Sequence, residues 1–220
     1  MPGGDTAIRK PARVALAYLW ASELDWDTGY APVAALCAEE LSILKSQLRL
    51  KINTPRTSSM GRLFDAVASL CGIRQEVNYE AQAAIELEAL AHPHETGKYY
   101  FTLEPDLANP GCSQINTTPL IEELLKDQAN GLSLPTISSR FHNTVSMMVL
   151  QVCDQVRNDL SIRNVVLSGG VWQNMTLLRR TIDLLSSQGF TVYFHRQVPT
   201  NDGGLALGQA LVAIHRMDKA

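Results

Sequence analysis

The residues best suited to chemistry lie in the stretch 164–174, N-V-V-L-S-G-G-V-W-Q-N. Val165, Val166 and Leu167 form a short apolar run of the kind found in a buried strand, and Ser168-Gly169-Gly170 breaks it. A helical pattern follows through Leu177, Leu178, Ile182 and Leu185. Glycines between a strand and a helix leave backbone N–H groups uncovered at the positive end of the helix, where a phosphate binds readily. Asn174, read as one turn into that helix, is placed to lean its amide over such a ligand. The plainer alternative is a tight strand-to-helix turn. The pattern matches neither the dinucleotide-binding glycine fingerprint nor the lysine-bearing phosphate loop.

Two further candidates are weaker. Asp65 follows Phe64 early in a helix predicted over 63–70, after a polar loop that ends at Gly61-Arg62 and offers Ser58 and Ser59 as caps. An acid there complements the helix dipole; the functional reading is a carboxylate that grips a ribose hydroxyl pair. His92 and His94 flank Pro93 in a helix-ending loop with no third ligand in view, which favours a surface turn over a metal site. Cys37, Cys71, Cys112 and Cys153 are widely spaced with no C-x-x-C pair, and the three in or beside helical patterns read as small buried hydrophobes.

The composition is that of an ordinary globular protein: 220 residues, 45% hydrophobic and 19% charged. A net charge of −3 with no basic tract argues against nucleic acid, whose binding rests on phosphate neutralisation. No apolar run reaches the length of a membrane span, and no signal-like segment opens the chain, so a cytoplasmic location is expected.

These residues need a scaffold. Helices are predicted over 11–20, 33–48, 63–70 and from Tyr79 to near Leu90, which makes 1–97 mainly helical, with the segment 57–68 inside it. From Lys98 the character changes. A strand over 99–103, a turn at 109–111, a short strand near 114–116, a helix over 119–126 and a long helix over 134–160 precede the glycine-bearing stretch. A strand over 190–194 and a last helix opened by Gly203-Gly204 complete 98–220. That order implies an α/β fold with a mixed sheet flanked by helices.

Three stretches together are more specific than any one: T-S-S-M-G-R-L-F-D-A-V-A (57–68), L-S-G-G-V-W-Q-N (167–174) and H-R-Q-V-P-T-N-D-G-G-L-A-L-G-Q-A (195–210). With Y-E-A-Q-A-A-I-E-L-E (79–88), they closely resemble the HypF carbamoyltransferases of nickel–iron hydrogenase maturation, end to end, but only over the final part of those long proteins. The resemblance implies a ribonuclease-H-like lobe of the actin/Hsp70/sugar-kinase superfamily. It also implies transfer of a carbamoyl group from carbamoyl-adenylate, made from ATP and carbamoyl phosphate, to the C-terminal cysteine of a HypE-like acceptor. On the same grounds Gly61 and Asp65 match the nucleoside-side segment, and Ser168, Gly169, Gly170 and Asn174 the phosphate-side loop. Asp202, in the loop 199–204, matches a carboxylate that helps hold a divalent metal (Mg, Zn or Fe) near the phosphates. Catalytic residues proper are not assigned.

The departures are specific. The family's H-x-x-x-H metal pair has no counterpart here, and Ala81 stands where the family usually has glycine. The family's other domains and first lobe are also absent from this stretch, so the chain is expected to carry about half of one active site and not to turn over alone. The alternatives are a non-catalytic ATP-binding or assembly lobe, truncated or split, and a related O-carbamoyltransferase or tRNA threonylcarbamoylation ATPase. A lobe that normally packs on its other half should bare an apolar face, so homodimerisation is expected.

Overall fold

The computed structural model describes residues 1–106, 109 and 111–217, and its chain divides into two compact units, Met1–Thr144 and Val145–Ala220. The division falls inside the long helix, whereas the sequence places its change of character at 97/98.

The first unit opens with α1 (Asp5–Arg9) and α2 (Pro11–Ala21), whose first residue is a proline with no N–H to leave unsatisfied. One helix was expected over 33–48. Two form instead, α3 (Ala31–Ala34) and α4 (Ala38–Leu50), because Cys37 adopts an extended conformation as the N-cap of α4. Cys37 is therefore exposed, contrary to its expected burial, while Cys71 is buried and its thiol is pushed up to about 12 by desolvation.

α5 (Met60–Leu70) is the core of this unit: every residue from Leu63 to Leu70 is buried, as in a helix with neighbours on all sides. It packs on α2 and on α6 (Gln82–Ala89). Phe64 meets Phe141 edge-on, ring centroids 4.7 Å apart, a geometry aromatic pairs favour. Phe141 belongs to α8 (Leu134–Leu160), which matches the long helix read from the sequence. His142, read as a core-edge residue, is fully buried, with Nδ1 2.7 Å from the Ser138 carbonyl oxygen.

β1 (Thr102–Pro105) and β2 (Ser113–Asn116) pair antiparallel, Leu103 opposite Ile115, ahead of α7 (Thr118–Ala129). The turn expected at 109–111 includes Pro110, which lies outside the described residues.

The second unit is built on β3 (Asn164–Leu167) and β4 (Thr191–Phe194), parallel and joined through α9 (Met175–Ser187). Leu167, Leu178, Leu185, Phe190 and Leu150 of α8 form its core, with Val165 and Val192 packed on them. The chain ends in α10 (Leu205–Met217). The single mixed sheet expected from element order does not form among the described residues. The four short strands make two separate pairs, one antiparallel and one parallel. Element order fixes which strands exist, while pairing depends on which apolar faces can be covered together.

Candidate functional site

Two parallel strands that pair Leu167 with Phe194 bring the next residue of each, Ser168 and His195, side by side at their carboxyl ends. In open α/β sheets this is the edge at which ligands bind. Ser168 Oγ lies 3.0 Å from His195 Nε2. A cleft of about 790 Å³ opens there, lined by Ser168, Gly169, Gly170, His195, the loop 199–202 and one side of α10.

The two loops of the cleft are tied to each other. Gly169 N–H donates to the Thr200 carbonyl oxygen at 2.8 Å, and the Thr200 hydroxyl donates back to the Gly169 carbonyl oxygen at 3.2 Å. Gly169 sits at φ 105°, ψ 161°, a conformation essentially restricted to glycine. Its amide, which the sequence reading left free for a phosphate, is thus already bonded. Asn201 accepts from Gly203 N–H at 3.1 Å, and the chain at Gly204 passes so close to the Pro199 carbonyl oxygen that a Cβ there would collide with it. Glycine is required by that close approach.

The helix after the glycines begins later than the sequence suggests. A 3-10 turn, Gly170–Gln173, intervenes, and Asn174 is the N-cap of α9, its Oδ1 accepting from Leu177 N–H at 2.8 Å. Asn174 is therefore not one turn into the helix and does not line the cleft. The structure brings together Ser168, Gly169, Gly170 and Asp202, the last opening a second 3-10 turn, Asp202–Gly204.

Gly61 and Asp65 belong to the first unit. Asp65 lies beyond the first turn of α5, so its expected dipole role is not realised. The buried carboxylate pairs with Arg62 Nη1 at 2.7 Å. Burial pushes the carboxyl up to about 6, against the pull of the Arg62 guanidinium. Ser59 is the N-cap of α5 by position, without a side-chain bond.

His92 and His94 are exposed, rings 5.4 Å apart. Among the described residues no three His, Cys, Asp or Glu side chains gather closely enough to hold a metal. Asp202 alone supplies one carboxylate, too few for the coordination a divalent ion requires. The metal expected beside Asp202 is not fitted by this chain's own donors.

His195 is the residue that sequence reasoning passed over. The signal was present: each strand ends in a short polar-capable residue, Ser168 or His195, directly after its apolar run. Only the parallel register shows that they meet.

Residues 1–209 match the family described as the carbamoyltransferase Kae1-like domain, second subdomain. The chain belongs to this family. It is 34% identical to the carbamoyltransferase HypF of Synechocystis over 96% of this chain and 28% of that protein. It is 36% identical to the HypF of Rhodobacter capsulatus over 98% of this chain and 27% of that one. A crystal structure of full-length HypF in the phosphate- and nucleotide-bound form superposes with a TM-score of 0.87 at 39% identity, covering 97% of this chain and 27% of that one. The chain thus spans little more than a quarter of the length of these three proteins, and it corresponds to the C-terminal region of HypF.

Proposed function

We propose that this chain is the nucleotide-binding C-terminal lobe of a HypF-like carbamoyltransferase, with the ribonuclease-H-like topology of the actin/Hsp70/sugar-kinase superfamily. In the complete protein the carbamoyl group passes from carbamoyl-adenylate to the C-terminal cysteine of a HypE-like acceptor in the cyanide-ligand synthesis of hydrogenase maturation. The thiol sulfur bonds to the carbamoyl carbon, the bond from that carbon to the phosphate oxygen breaks, AMP leaves and the thiol proton goes to solvent. Such a step needs the phosphate held and its growing charge stabilised. The chain's contribution is to bind and orient that phosphate.

The observation that carries this reading is the cleft at the carboxyl ends of β3 and β4, with Ser168, Gly169, Gly170 and Asp202 on its walls. The phosphate and nucleotide bound to the full-length HypF of the crystal structure add support by similarity. The nucleoside-side role of Gly61 and Asp65 and the phosphate-side role of Asn174 rest on the family resemblance alone. So does a metal at Asp202, and no step is routed through one. A second reading, a lobe that binds ATP and assembles with other domains without turning over, is favoured by the exposed apolar residues of α10.

Calorimetric titration of the chain with ATP tests the proposal. Gly170 has an ordinary φ, and a Cβ there would meet only Asn201 Cβ at 3.9 Å. Gly170→Asp should therefore fold normally while setting a negative charge against the phosphates. Saturable binding by the wild-type chain, lost in Gly170→Asp at an unchanged melting temperature, is expected. Absence of binding at millimolar ATP by folded wild-type chain rejects the reading.

A further inference from the structure

The pair at the carboxyl ends of β3 and β4 has a chemistry that a surface hydrogen bond alone does not require. A serine hydroxyl has one proton and can spend it in one direction only. If Ser168 donates to His195, nothing remains for a ligand. If His195 Nε2–H donates to Ser168 Oγ, the serine proton is released toward the cleft as a donor to an anionic oxygen. The two arrangements share the 3.0 Å separation and differ in the histidine tautomer and, with it, in the direction of the serine proton.

We propose that His195 is a positioning residue that carries its proton on Nε2 and, by donating to Ser168 Oγ, turns the Ser168 hydroxyl into a hydrogen-bond donor for a nucleotide phosphate. This rests on the nucleotide-binding reading above and names the residue that acts behind its phosphate loop. Three observations support it. Parallel register makes the pairing a property of the backbone rather than of a flexible contact, since Leu167 and Phe194 are paired immediately before it. Both side chains line the same cleft. The amide of Gly169, the next donor along the loop, is bonded to Thr200, so a side-chain donor at Ser168 makes up for a backbone donor already spent. A hydroxyl held by a neighbour on one side is already oriented when the phosphate arrives, and a pre-oriented donor loses less entropy on binding.

The test has two arms on the 220-residue chain. In the ligand-free protein, nitrogen NMR of the imidazole should place the His195 proton on Nε2, and a proton on Nδ1 alone overturns the proposal. In the second arm ATP is titrated into wild type, His195→Phe, Ser168→Ala and the double variant. Each single change should weaken ATP binding on the order of tenfold, the scale of one hydrogen bond to a charged group. The double variant should bind no worse than Ser168→Ala, because His195 acts through the hydroxyl. His195→Gln, which keeps an N–H donor, should recover most of the loss. Additive losses, or failure of the glutamine to recover binding, overturn the role of His195 while leaving the nucleotide reading intact. A wild-type chain that carries the Nε2 proton yet binds no ATP overturns the nucleotide reading and this proposal with it.

Discussion

The first unit and the second solve the burial problem in opposite ways. In the first, α5 is buried along its last eight residues and its aromatic side chain is clasped by Phe141. In the second, α10 buries none of its residues, with Leu211 59% exposed, and β3–β4 leaves Val166 69% exposed on its open face. The cleft side chains all sit in the less buried unit. Loops on a sheet edge are where binding groups gather, and the scaffold behind them supplies rigidity. Here part of that scaffold has apolar surface that no other described residue covers, larger than scattered single residues would give. Stability and the phosphate-side cleft are therefore separable in this chain, so substitutions should sort by unit.

The sharpest way to break that contrast is a pair of truncations. Phe64→Ala removes a fully buried ring and leaves a cavity, and should cost about 3–5 kcal/mol in urea denaturation. Leu211→Ala, on exposed α10, should change stability by no more than about 0.5 kcal/mol. A loss at Leu211 comparable to that at Phe64 would mean that α10 is covered in solution, as in a homodimer, and light scattering would show the doubled mass.

The next effect is electrostatic and belongs to the first unit. The Asp65 carboxyl is raised from its ordinary 3.8 to about 6 by burial, so the folded chain holds that proton more tightly than the unfolded chain. The contribution to stability is then fully present below 3.8 and is lost as pH rises through about 6. It amounts to about 3 kcal/mol across the window. Glu40 and Glu86, held low chiefly by hydrogen bonds from Arg13 and Arg74, act in the opposite sense. The difference between wild type and Asp65→Asn isolates the Asp65 term. Wild type should lose stability relative to the variant as pH rises through that window. A flat difference would show that Asp65 is solvated in the folded chain.

Much of this was legible in the sequence, and the parts that were not share a cause. The long helix α8, the strand–glycine–helix order around Ser168 and the loop of Asp202 follow from periodicity and turn residues. Strand pairing did not, because four-residue strands carry no partner information in their own pattern. Asn174 was misread by about one turn, since a 3-10 turn and an α-helix start look alike in sequence, yet its type is what an N-cap selects. His195 had only its place after an apolar run to mark it, and the parallel register was needed to set it beside Ser168. Local chemistry is written locally; adjacency across strands is not.

Ala81 gives the smallest and most exacting test. Singled out in the sequence as an alanine where its resemblances have glycine, it is the N-cap of α6 at φ 60°, ψ 10°, a left-handed conformation. An alanine there brings Cβ against its own carbonyl oxygen, at a cost of roughly 1–2 kcal/mol. Glycine escapes that clash but loses more freedom on folding, which returns about 0.5–1 kcal/mol. Ala81→Gly should therefore stabilise the first unit by about 1 kcal/mol, read as a higher urea midpoint at unchanged slope. Because the strain lies in the well-packed unit, ATP binding at the cleft should not move. A variant that gained stability and also changed ATP affinity would couple the two units energetically, and the separation of stability from site would fail at the position where it is easiest to measure.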